Sequence, residues 1–585
     1  MPRVDDTTRA GAFLTHDLRV DDLFTREELS EEQQLFGRTA AEFMRNEVLP
    51  RAQELYAHDW ALTRRLLQNA AALDLTRLEI PAAYGGLGLD KISAAFVGEQ
   101  VSVEPSFAGS LGAHTSIGTL PLVYFGTNEQ KARYLPRLGA ADLIGAYALT
   151  EPHSGSDARA ARTTARLDAD GRHYALNGQK AWITNGGFAD LFTIFAKVDG
   201  EKFTAFLVER GMGVVSGRDE LKLGLDGSST TVLMLDNVRV PVENVLGTIG
   251  EGHKVAFNIL NLGRVKLGTR NIAGAKRALD WSIEYAKQRQ QFGRAIAEFG
   301  LVKQKLGEMA VRCWVGDAMV YRALGDVDRA LDVVDRHDSG QVLKTIEAFA
   351  VECSINKVWT SEALAYAVDE AVQVFGGNGY SREFPVERAY RDARITRIYE
   401  GTNEINRLII PTRLLKESPA LFTREAATRA LASPPPSDSG PSVLAAERQC
   451  VAQAKRLTLA ALGYAADAYR DDLKDEQETL GQIADMLIEI YAAESAIGRA
   501  EKLAARVETE RSRMPLEIAR IFTNDAADRI ATSGKRVAAA LAARGARCGD
   551  FGEATARFAS RLGMDTITSR RLVANAVIQA GRYSL

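Results

Sequence analysis

The spacing of apolar residues changes several times along this chain, and each change marks a candidate domain. From residue 25 to residue 142 apolar positions recur at helical spacing, as at Phe36, Phe43 and Val48. This pattern predicts an N-terminal helical domain over 25–142. The residues before it, 1–24, are predicted to form an N-terminal tail.

A different texture follows over residues 143–250. Short runs rich in β-branched and aromatic residues, such as Leu191–Ala196 and Thr204–Val208, are separated by Asn-Gly, Asp-Gly and Gly-Gly pairs that favour turns. We expect a small central β domain here, barrel-like in form. The Asn-Gly pairs that flank Trp182 predict that its strand begins and ends at those pairs, as in a hairpin.

The helical period returns over 251–415, where four or five helices fit a four-helix bundle. Ser433–Pro441 is rich in proline, serine and glycine, and it predicts a linker within 416–442. Residues 443–585 are rich in Ala, Arg and Glu and predict a C-terminal helical bundle. The fold class is therefore mainly α with a small central β domain.

Charge and composition narrow the possible partners. The net charge is −3 over 585 residues, so the basic excess that a nucleic-acid partner requires is missing. The four cysteines lie far apart, which favours neither disulfides nor a zinc site and fits a reducing compartment. With no signal-peptide pattern and no long apolar stretch, we expect a cytoplasmic protein. The seven histidines form no ligand pattern, so we expect no metal.

The stretch Arg397–Glu404 contains the most informative carboxylate, Glu400. Glu400 lies among apolar and small residues after a helix-compatible run, Tyr390–Ile398. Burial would raise the pKa of this carboxyl above its usual value and make it a stronger base, and Gly401 would let a ligand approach the backbone. A solvated helix-end acid followed by a glycine cap is the alternative.

Two stretches in the β region carry candidate ring-binding groups. Tyr147–Asp157 concentrates hydroxyls and backbone amides in a loop with Gly, Pro and Ser, although a surface turn has the same composition. Asn177–Gly187 places Trp182 and Thr184 on one face of a strand. An aromatic ring beside a hydroxyl suits a planar cofactor, but a core tryptophan beside a cross-strand threonine is the commoner case.

Two stretches in the second helical region offer groups for a pyrophosphate. Gln373–Tyr380 is a glycine-rich break between helices, and Arg289–Gly293 places a cation where a helical run ends. A solvated helix-terminal arginine explains Arg289 equally well. Neither stretch follows a strand within a βαβ unit, so a nicotinamide site is disfavoured.

Together, in this order and at these separations, the five stretches resemble the acyl-CoA dehydrogenase family over 25–415. The chain is most similar to the very-long-chain branch, whose members also carry a C-terminal helical extension. Three further short stretches are also similar to the family: Pro81–Gly88, Phe125–Lys131 and Val238–Gly247. The resemblance implies a helical domain, a β domain and a four-helix domain around FAD, with FAD partly at a subunit interface.

The resemblance also implies a role for each candidate residue. Glu400 would remove the α proton of an acyl-CoA thioester, and its backbone N–H would bond the thioester carbonyl, while hydride leaves the β carbon for flavin N5. The implied FAD-binding residues are Tyr147, Leu149, Thr150, Ser156, Trp182, Thr184, Arg289, Gln291, Phe292, Gln373, Gly376, Gly377, Thr402 and Glu404. Six of them would reach the FAD diphosphate and adenosine of the neighbouring subunit: Arg289, Gln291, Phe292, Gln373, Gly376 and Gly377. The implied substrate-binding residues are Ser156, Asn261, Arg264, Tyr399, Gly401, Gly109 and Ala113.

The expected length of the substrate's acyl chain and the expected partners follow from the same resemblance. Gly109 and Ala113 lie one turn apart, where medium-chain relatives have bulky polar residues, so a deeper slot for long acyl chains is expected, although helix position alone also favours alanine. Gly263, next to Arg264, leaves no carboxylate to compete with Glu400. Fatty acid β-oxidation, an electron-transferring flavoprotein as acceptor, a homodimer and a peripheral membrane contact through the C-terminal domain are the remaining expectations. An oxygen-using acyl-CoA oxidase and an assembly or scaffold protein stay open.

Overall fold

The computed structural model describes residues 11–336, 338–433, 442–506, 510–559 and 563–585. The chain folds as two compact units. One comprises Leu29–Lys266 with Leu331–Glu347, and the other comprises Met1–Glu28, Leu267–Ala330 and Ala348–Leu585. Residues 1–10 of the predicted tail and 434–441 of the predicted linker lie outside the described residues.

Most of the described chain is helical, as expected from the sequence. The α-helices are α1 (Glu31–Phe43), α2 (Ala52–Tyr56), α3 (Trp60–Ala72), α4 (Lys91–Val101), α5 (Pro105–Gly112), α6 (Leu120–Phe125), α7 (Asn128–Gly139), α8 (Gly252–Gln288), α9 (Gly300–Asp332), α10 (Ser339–Ala348), α11 (Ala350–Phe375), α12 (Pro385–Ala393), α13 (Asn403–Glu417), α14 (Arg424–Ala432), α15 (Ala445–Tyr469), α16 (Gln477–Arg506), α17 (Glu510–Ala543), α18 (Gly549–Ala559) and α19 (Thr566–Ala580). The predicted bundle region thus holds six helices in its described residues rather than four or five, because α10 and α12 are short additions to four longer ones.

Eight of the ten strands in the described residues lie where the β-rich texture predicted them, and the last two form a short hairpin between α8 and α9, in the region predicted to be helical. They are β1 (Gly145–Ala148), β2 (Thr164–Leu167), β3 (His173–Thr184), β4 (Leu191–Val198), β5 (Lys202–Glu209), β6 (Val215–Asp219), β7 (Thr230–Pro241), β8 (Val245–Leu246), β9 (Gln290–Gln291) and β10 (Arg294–Ala295). The main sheet has the order β6-β7-β3-β2-β4-β5-β8, with β1 beside β4. The mainly α fold with a central β domain is confirmed.

One turn prediction was wrong. Asn177–Gly178 was expected to begin the strand that carries Trp182, but β3 starts at His173 and continues through this pair. The pairing of β3 with β7 shifts register between Leu176 and Gly178, so the Asn-Gly pair forms an irregularity inside the strand. The second pair, Asn185–Gly186, does end the strand as predicted.

Each unit has its own apolar core. In the first unit the core joins residues of α1, α3 and α5 with inward residues of the sheet, including Phe107, Phe192 and Phe206. In the second unit one continuous core runs through the bundle and the C-terminal helices and includes Trp314. Phe13 belongs to that core at 5% exposure, so this part of the predicted tail is packed rather than solvated.

Candidate active site

Glu400 lies in a tight loop, Ile398–Thr402, which we call the Glu400 loop. The preceding helix α12 ends at Ala393 and a short 3-10 turn follows, so the predicted run to Ile398 is only partly α-helical. Glu400 has a φ of 57° and Gly401 a φ of 79°. The left-handed region costs a residue with a side chain about 1–2 kcal/mol. Backbone strain of this kind persists where surrounding contacts hold it, often at functional sites.

Two side chains on the flanking helices hold the Glu400 loop through its carbonyl groups. Lys357 Nζ, on α11, donates to Gly401 O at 2.7 Å. Asn406 Nδ2, on α13, donates to Gly401 O at 2.8 Å and to Thr402 O at 3.0 Å. Both side chains are fully buried. Sequence reasoning missed both, since a lysine and an asparagine inside helices carry no local signal of this role.

The Glu400 carboxyl lies partly out of water and close to a cation. Its Oε2 atom is buried. Burial lowers the pKa of Arg270, on α8, and the negative charge of Glu400 opposes that effect. Arg270 was also missed, because nothing in its local sequence separates it from a solvated helix residue.

The residues after Glu400 start helix α13. Thr402 is the N-cap, and its hydroxyl accepts a hydrogen bond from Ile405 N–H at 3.2 Å. Glu404 is exposed in the first turn. Its pKa is lowered by backbone and Thr402 hydrogen bonds. Tyr399 is 38% exposed. The structure thus keeps the predicted group from Tyr399 to Glu404 together at one helix end.

The two stretches with candidate pyrophosphate groups meet at one end of the bundle. Tyr285, near the end of α8, stacks on Phe375 at the end of α11 with ring centroids 4.1 Å apart. Its hydroxyl accepts a hydrogen bond from Asn378 Nδ2 at 3.0 Å, and its carbonyl accepts one from Arg289 N–H at 2.9 Å. Tyr285 therefore connects the Arg289 stretch to the glycine-rich break. It was not singled out from sequence.

This end of the bundle presents open backbone and exposed side chains. Gly376 has a φ of 61°, and a Cβ at Gly376 or Gly377 would meet nothing within 4 Å. Phe292 is 93% exposed at the tip of the β9–β10 hairpin. Exposed at the same end are Arg289, Gln291 and Gln373. Exposed glycine backbone beside a cation and a flat ring fits the phosphates and ring of a dinucleotide.

In the first unit, which contains the main sheet, β1 and β3 bring together the two stretches with candidate ring-binding groups. Ala181 N–H donates to Thr150 O at 2.9 Å, which places the loop after β1 beside the Trp182 strand. Trp182 is 60% exposed although its neighbour Ile183 is buried. Tyr147 and Leu149 are each 8% exposed, Thr184 is half-buried and Ser156 is exposed. An exposed indole beside a partly accessible hydroxyl fits a planar ring ligand.

A buried ion pair that sequence reasoning missed holds this arrangement. Lys180 Nζ lies 2.6 Å from Glu151 Oε1, and the two side chains are 0% and 4% exposed. Burial alone would raise the pKa of Glu151, but Lys180, the Thr163 hydroxyl and the Arg162 N–H outweigh it and lower that pKa. Both residues occur in the stretches singled out above, where a charged residue close to the candidate ligands was the available signal.

Four of the five predicted substrate residues of this unit form two pairs, and the fifth, Ser156, lies apart from them in the sequence. Arg264 donates to Asn261 Oδ1 at 2.9 Å, and both side chains are buried. Ala113 N–H donates to Gly109 O, so these two small residues are one turn apart as predicted. A Cβ at Gly109 would lie 3.6 Å from Ser228 Oγ, an ordinary contact distance.

A group of possible metal ligands lies in the turn between β2 and β3 and at the first residue of β3, outside the stretches singled out from the sequence. It consists of Asp168, Asp170 and His173. Arg239 on β7 bonds Asp168 at 3.0 Å and Asp170 at 3.2 Å. The cation therefore already balances these carboxylates, and the group is explained as a surface ion-pair network.

Four family models match the chain. They are the acyl-CoA dehydrogenase N-terminal domain over 30–142, the middle domain over 146–238, and two models of an acyl-CoA dehydrogenase C-terminal domain over 250–415 and 453–547. Within the described residues, no helix has both the length and the apolar character needed to cross a membrane.

Known proteins resemble the chain over different lengths. A probable acyl-CoA dehydrogenase of Bacillus subtilis is 45% identical over 91% of each chain. The mitochondrial very long-chain specific acyl-CoA dehydrogenase of Macaca fascicularis is 41% identical over 59% of this chain and only 52% of its own length. A crystal structure of a Bacillus anthracis acyl-CoA dehydrogenase complexed with FAD superposes with a TM-score of 0.94 at 40% identity, covering 99% of this chain and 100% of that one.

Proposed function

Since the chain belongs to the acyl-CoA dehydrogenase family of FAD-dependent oxidoreductases, we propose that it acts on long-chain fatty acyl-CoA thioesters in fatty acid β-oxidation. The reaction removes a proton from Cα and a hydride from Cβ, and the product is the trans-2-enoyl-CoA. Glu400 is the proposed base. FAD, when bound, supplies the acceptor for the hydride.

One observation carries this proposal: Glu400 is a carboxylate with a buried oxygen on a left-handed loop that two buried side chains hold. A base must be fixed within reach of the proton it removes, and partial exclusion of water makes it more effective. Loss of the Cα proton leaves an enolate, and the backbone N–H of Glu400 is proposed to stabilise it by bonding the thioester carbonyl.

The binding residues are proposed along the same lines. The exposed backbone of Gly376 and Gly377 and the cation of Arg289 suit the phosphates of the FAD of a neighbouring subunit, and Trp182 suits the flavin ring. The remaining proposed FAD residues are Tyr147, Leu149, Thr150, Ser156, Thr184, Gln291, Phe292, Gln373, Thr402 and Glu404. On the substrate side the proposal includes Ser156, Asn261, Arg264, Tyr399 and Gly401.

The preference for long acyl chains rests on Gly109 and Ala113. Small side chains one turn apart leave room for additional methylene groups along the helix. The similarity to very-long-chain relatives supports this preference. We further propose an electron-transferring flavoprotein as acceptor, a homodimer, and a cytoplasmic location with a peripheral membrane contact through the C-terminal domain.

Replacing the proposed base tests the function directly. In Glu400→Gln the shape is kept but the proton acceptor is lost, so kcat with palmitoyl-CoA should fall roughly 10²–10⁴-fold while FAD stays bound. The measurement is anaerobic bleaching of the flavin absorption by palmitoyl-CoA. Glu383→Gln, an exposed carboxylate upstream of α12, is the control and should behave as wild type. Near-normal turnover by Glu400→Gln would refute the assignment.

A further inference from the structure

The C-terminal helices contribute none of the residues assigned to the site, yet one of them packs on the helix that follows the Glu400 loop. Helix α16 packs against α13. Helix α13 begins at Asn403, directly after the loop. A side chain on α16 can therefore act on the loop through α13 without touching a substrate.

Arg407 on α13 joins the C-terminal helices to the bundle. Its Nε donates to Asp485 Oδ1 on α16 at 2.7 Å. Its two terminal nitrogens donate to the two carboxylate oxygens of Glu362 on α11 at 2.7 and 3.0 Å. A planar guanidinium held on two edges by two carboxylates has a fixed orientation.

From Glu362 the hydrogen bonds continue inward to the loop. Asn403 Nδ2 donates to Glu362 Oε1 at 3.0 Å. Asn403 Oδ1 accepts from Lys357 Nζ at 2.7 Å, and the same Nζ donates to Gly401 O at 2.7 Å. Asn403 is 3% exposed and Lys357 is 0% exposed. An unbroken chain of hydrogen bonds therefore leads from Asp485 to the carbonyl next to Glu400.

We infer that Asp485 is a positioning residue for Glu400, and that the C-terminal domain (443–585) braces the Glu400 loop through this chain of hydrogen bonds, which we call the 485–401 chain. The inference rests on the proposed function, because the brace matters for catalysis only if Glu400 is the base. The loop needs external support, since Glu400 itself is left-handed. Asp485 fixes Arg407, Arg407 fixes Glu362, and the buried members transmit that order to Gly401.

Helix α16 also supplies a matched control one turn further on. Glu489 accepts from Arg529 on α17 at 2.7 and 2.8 Å. Like Asp485, Glu489 is a carboxylate of α16 that accepts from an arginine, but its ion pair has two hydrogen bonds and joins two helices of the C-terminal domain only. Removing it perturbs the domain without entering the 485–401 chain.

The experiment compares Asp485→Leu with Glu489→Met in the full-length, FAD-loaded protein, since each substitution keeps approximate shape and removes the acceptor. A base displaced by a fraction of an ångström loses rate, so Asp485→Leu should lower kcat about tenfold with KM within about twofold of wild type. Arg407→Met, which breaks the same chain of hydrogen bonds, should likewise lower kcat with little change in KM. Glu489→Met should keep the wild-type kcat.

Amide hydrogen exchange gives a second readout that needs no turnover. Asp485→Leu should accelerate exchange of peptides covering residues 399–406, whereas Glu489→Met should accelerate exchange only in α16 and α17. Equal effects of the two variants on kcat, or unchanged exchange over 399–406 in Asp485→Leu, would overturn the brace. If the proposed function failed, wild-type protein would not be bleached by any acyl-CoA, and the exchange comparison would still decide the brace.

Discussion

The carboxylate of Glu400 and the guanidinium of Arg270 attract each other electrostatically inside the second unit. A cation beside a base favours its ionised form and so extends activity to lower pH. The buried Oε2 atom shows that part of this interaction takes place out of water. We therefore expect the surroundings of the proposed base, Glu400, to set the pH range of the reaction.

Removing the cation should move the pH–rate profile. In Arg270→Met the acid limb of kcat/KM should shift to higher pH, because the carboxylate loses the charge that favours its ionised form. The measurement is kcat/KM with palmitoyl-CoA from pH 5 to pH 9. Arg277→Met, two turns along α8 and exposed, should leave the limb in place. An unshifted limb in Arg270→Met would show that Arg270 does not tune the base.

Helix α5 is the element on which the acyl-chain proposal depends, and a π-turn over Ala113–Ile117 follows it. His114 locks this turn: its Nδ1 accepts from Gly145 N–H at 3.0 Å and its Nε2 donates to Leu138 O at 3.0 Å. Burial lowers the pKa of His114 to about 4, so the ring stays neutral near pH 7. The end of α5 is thereby tied to the start of β1.

The depth of the slot can be tested on α5 itself. Gly109→Leu should lower kcat/KM for palmitoyl-CoA about 10-fold or more relative to butyryl-CoA, because it fills space that extra methylene groups would occupy. Gly109→Ala is the matched control, since its Cβ would make only an ordinary contact with Ser228 Oγ at 3.6 Å. A parallel loss for both substrates in Gly109→Leu would contradict a chain-length role.

At the scale of the whole molecule, the N-terminal segment belongs to the second unit, together with the bundle and the C-terminal helices. Gly11 N–H donates to Glu352 Oε1 at 2.8 Å, and Arg499 of the C-terminal region bonds Glu27. Burial raises the pKa of Glu352 to about 7, against the opposing effect of the Gly11 N–H. Its Oε2 atom has no hydrogen-bond partner among the described residues. The stability of this unit therefore depends on the protonation of one buried carboxyl.

The difference between the folded and unfolded pKa values of Glu352 determines how the stability changes with pH. The folded-state pKa of Glu352 lies above the usual value of 4.5 for a glutamate, so its contribution to stability is fully present below about pH 4.5 and is lost as pH rises through about 7. Over this pH range the free energy of unfolding falls by about 3 kcal/mol. Glu352→Gln should therefore unfold at higher urea concentration than wild type at pH 8, and the difference should shrink towards pH 5.

Urea unfolding at several pH values measures this prediction. Glu201→Gln, exposed in the turn between β4 and β5, should show a difference from wild type that does not vary in this way with pH. A Glu352→Gln variant whose added stability is the same at pH 5 and pH 8 would contradict a buried, proton-binding carboxyl.

The sequence by itself determined the order of helical and β regions, because hydrophobic period and turn residues report local backbone structure. It also singled out Glu400, the strand with Trp182 and the glycine-rich break after α11, since each is a short stretch of unusual composition. The division at residues 142, 250 and 415 and the individual site roles stay predictions.

Only the tertiary structure decided which side chains hold the site. Lys357 reaches Gly401 from 44 residues away, and Lys180 meets Glu151 across 29 residues. A lysine inside a helix or strand reads locally as solvated, yet both are fully buried. Such pairs depend on how finished elements pack, and that information is spread over the whole core rather than carried by any short stretch of the chain.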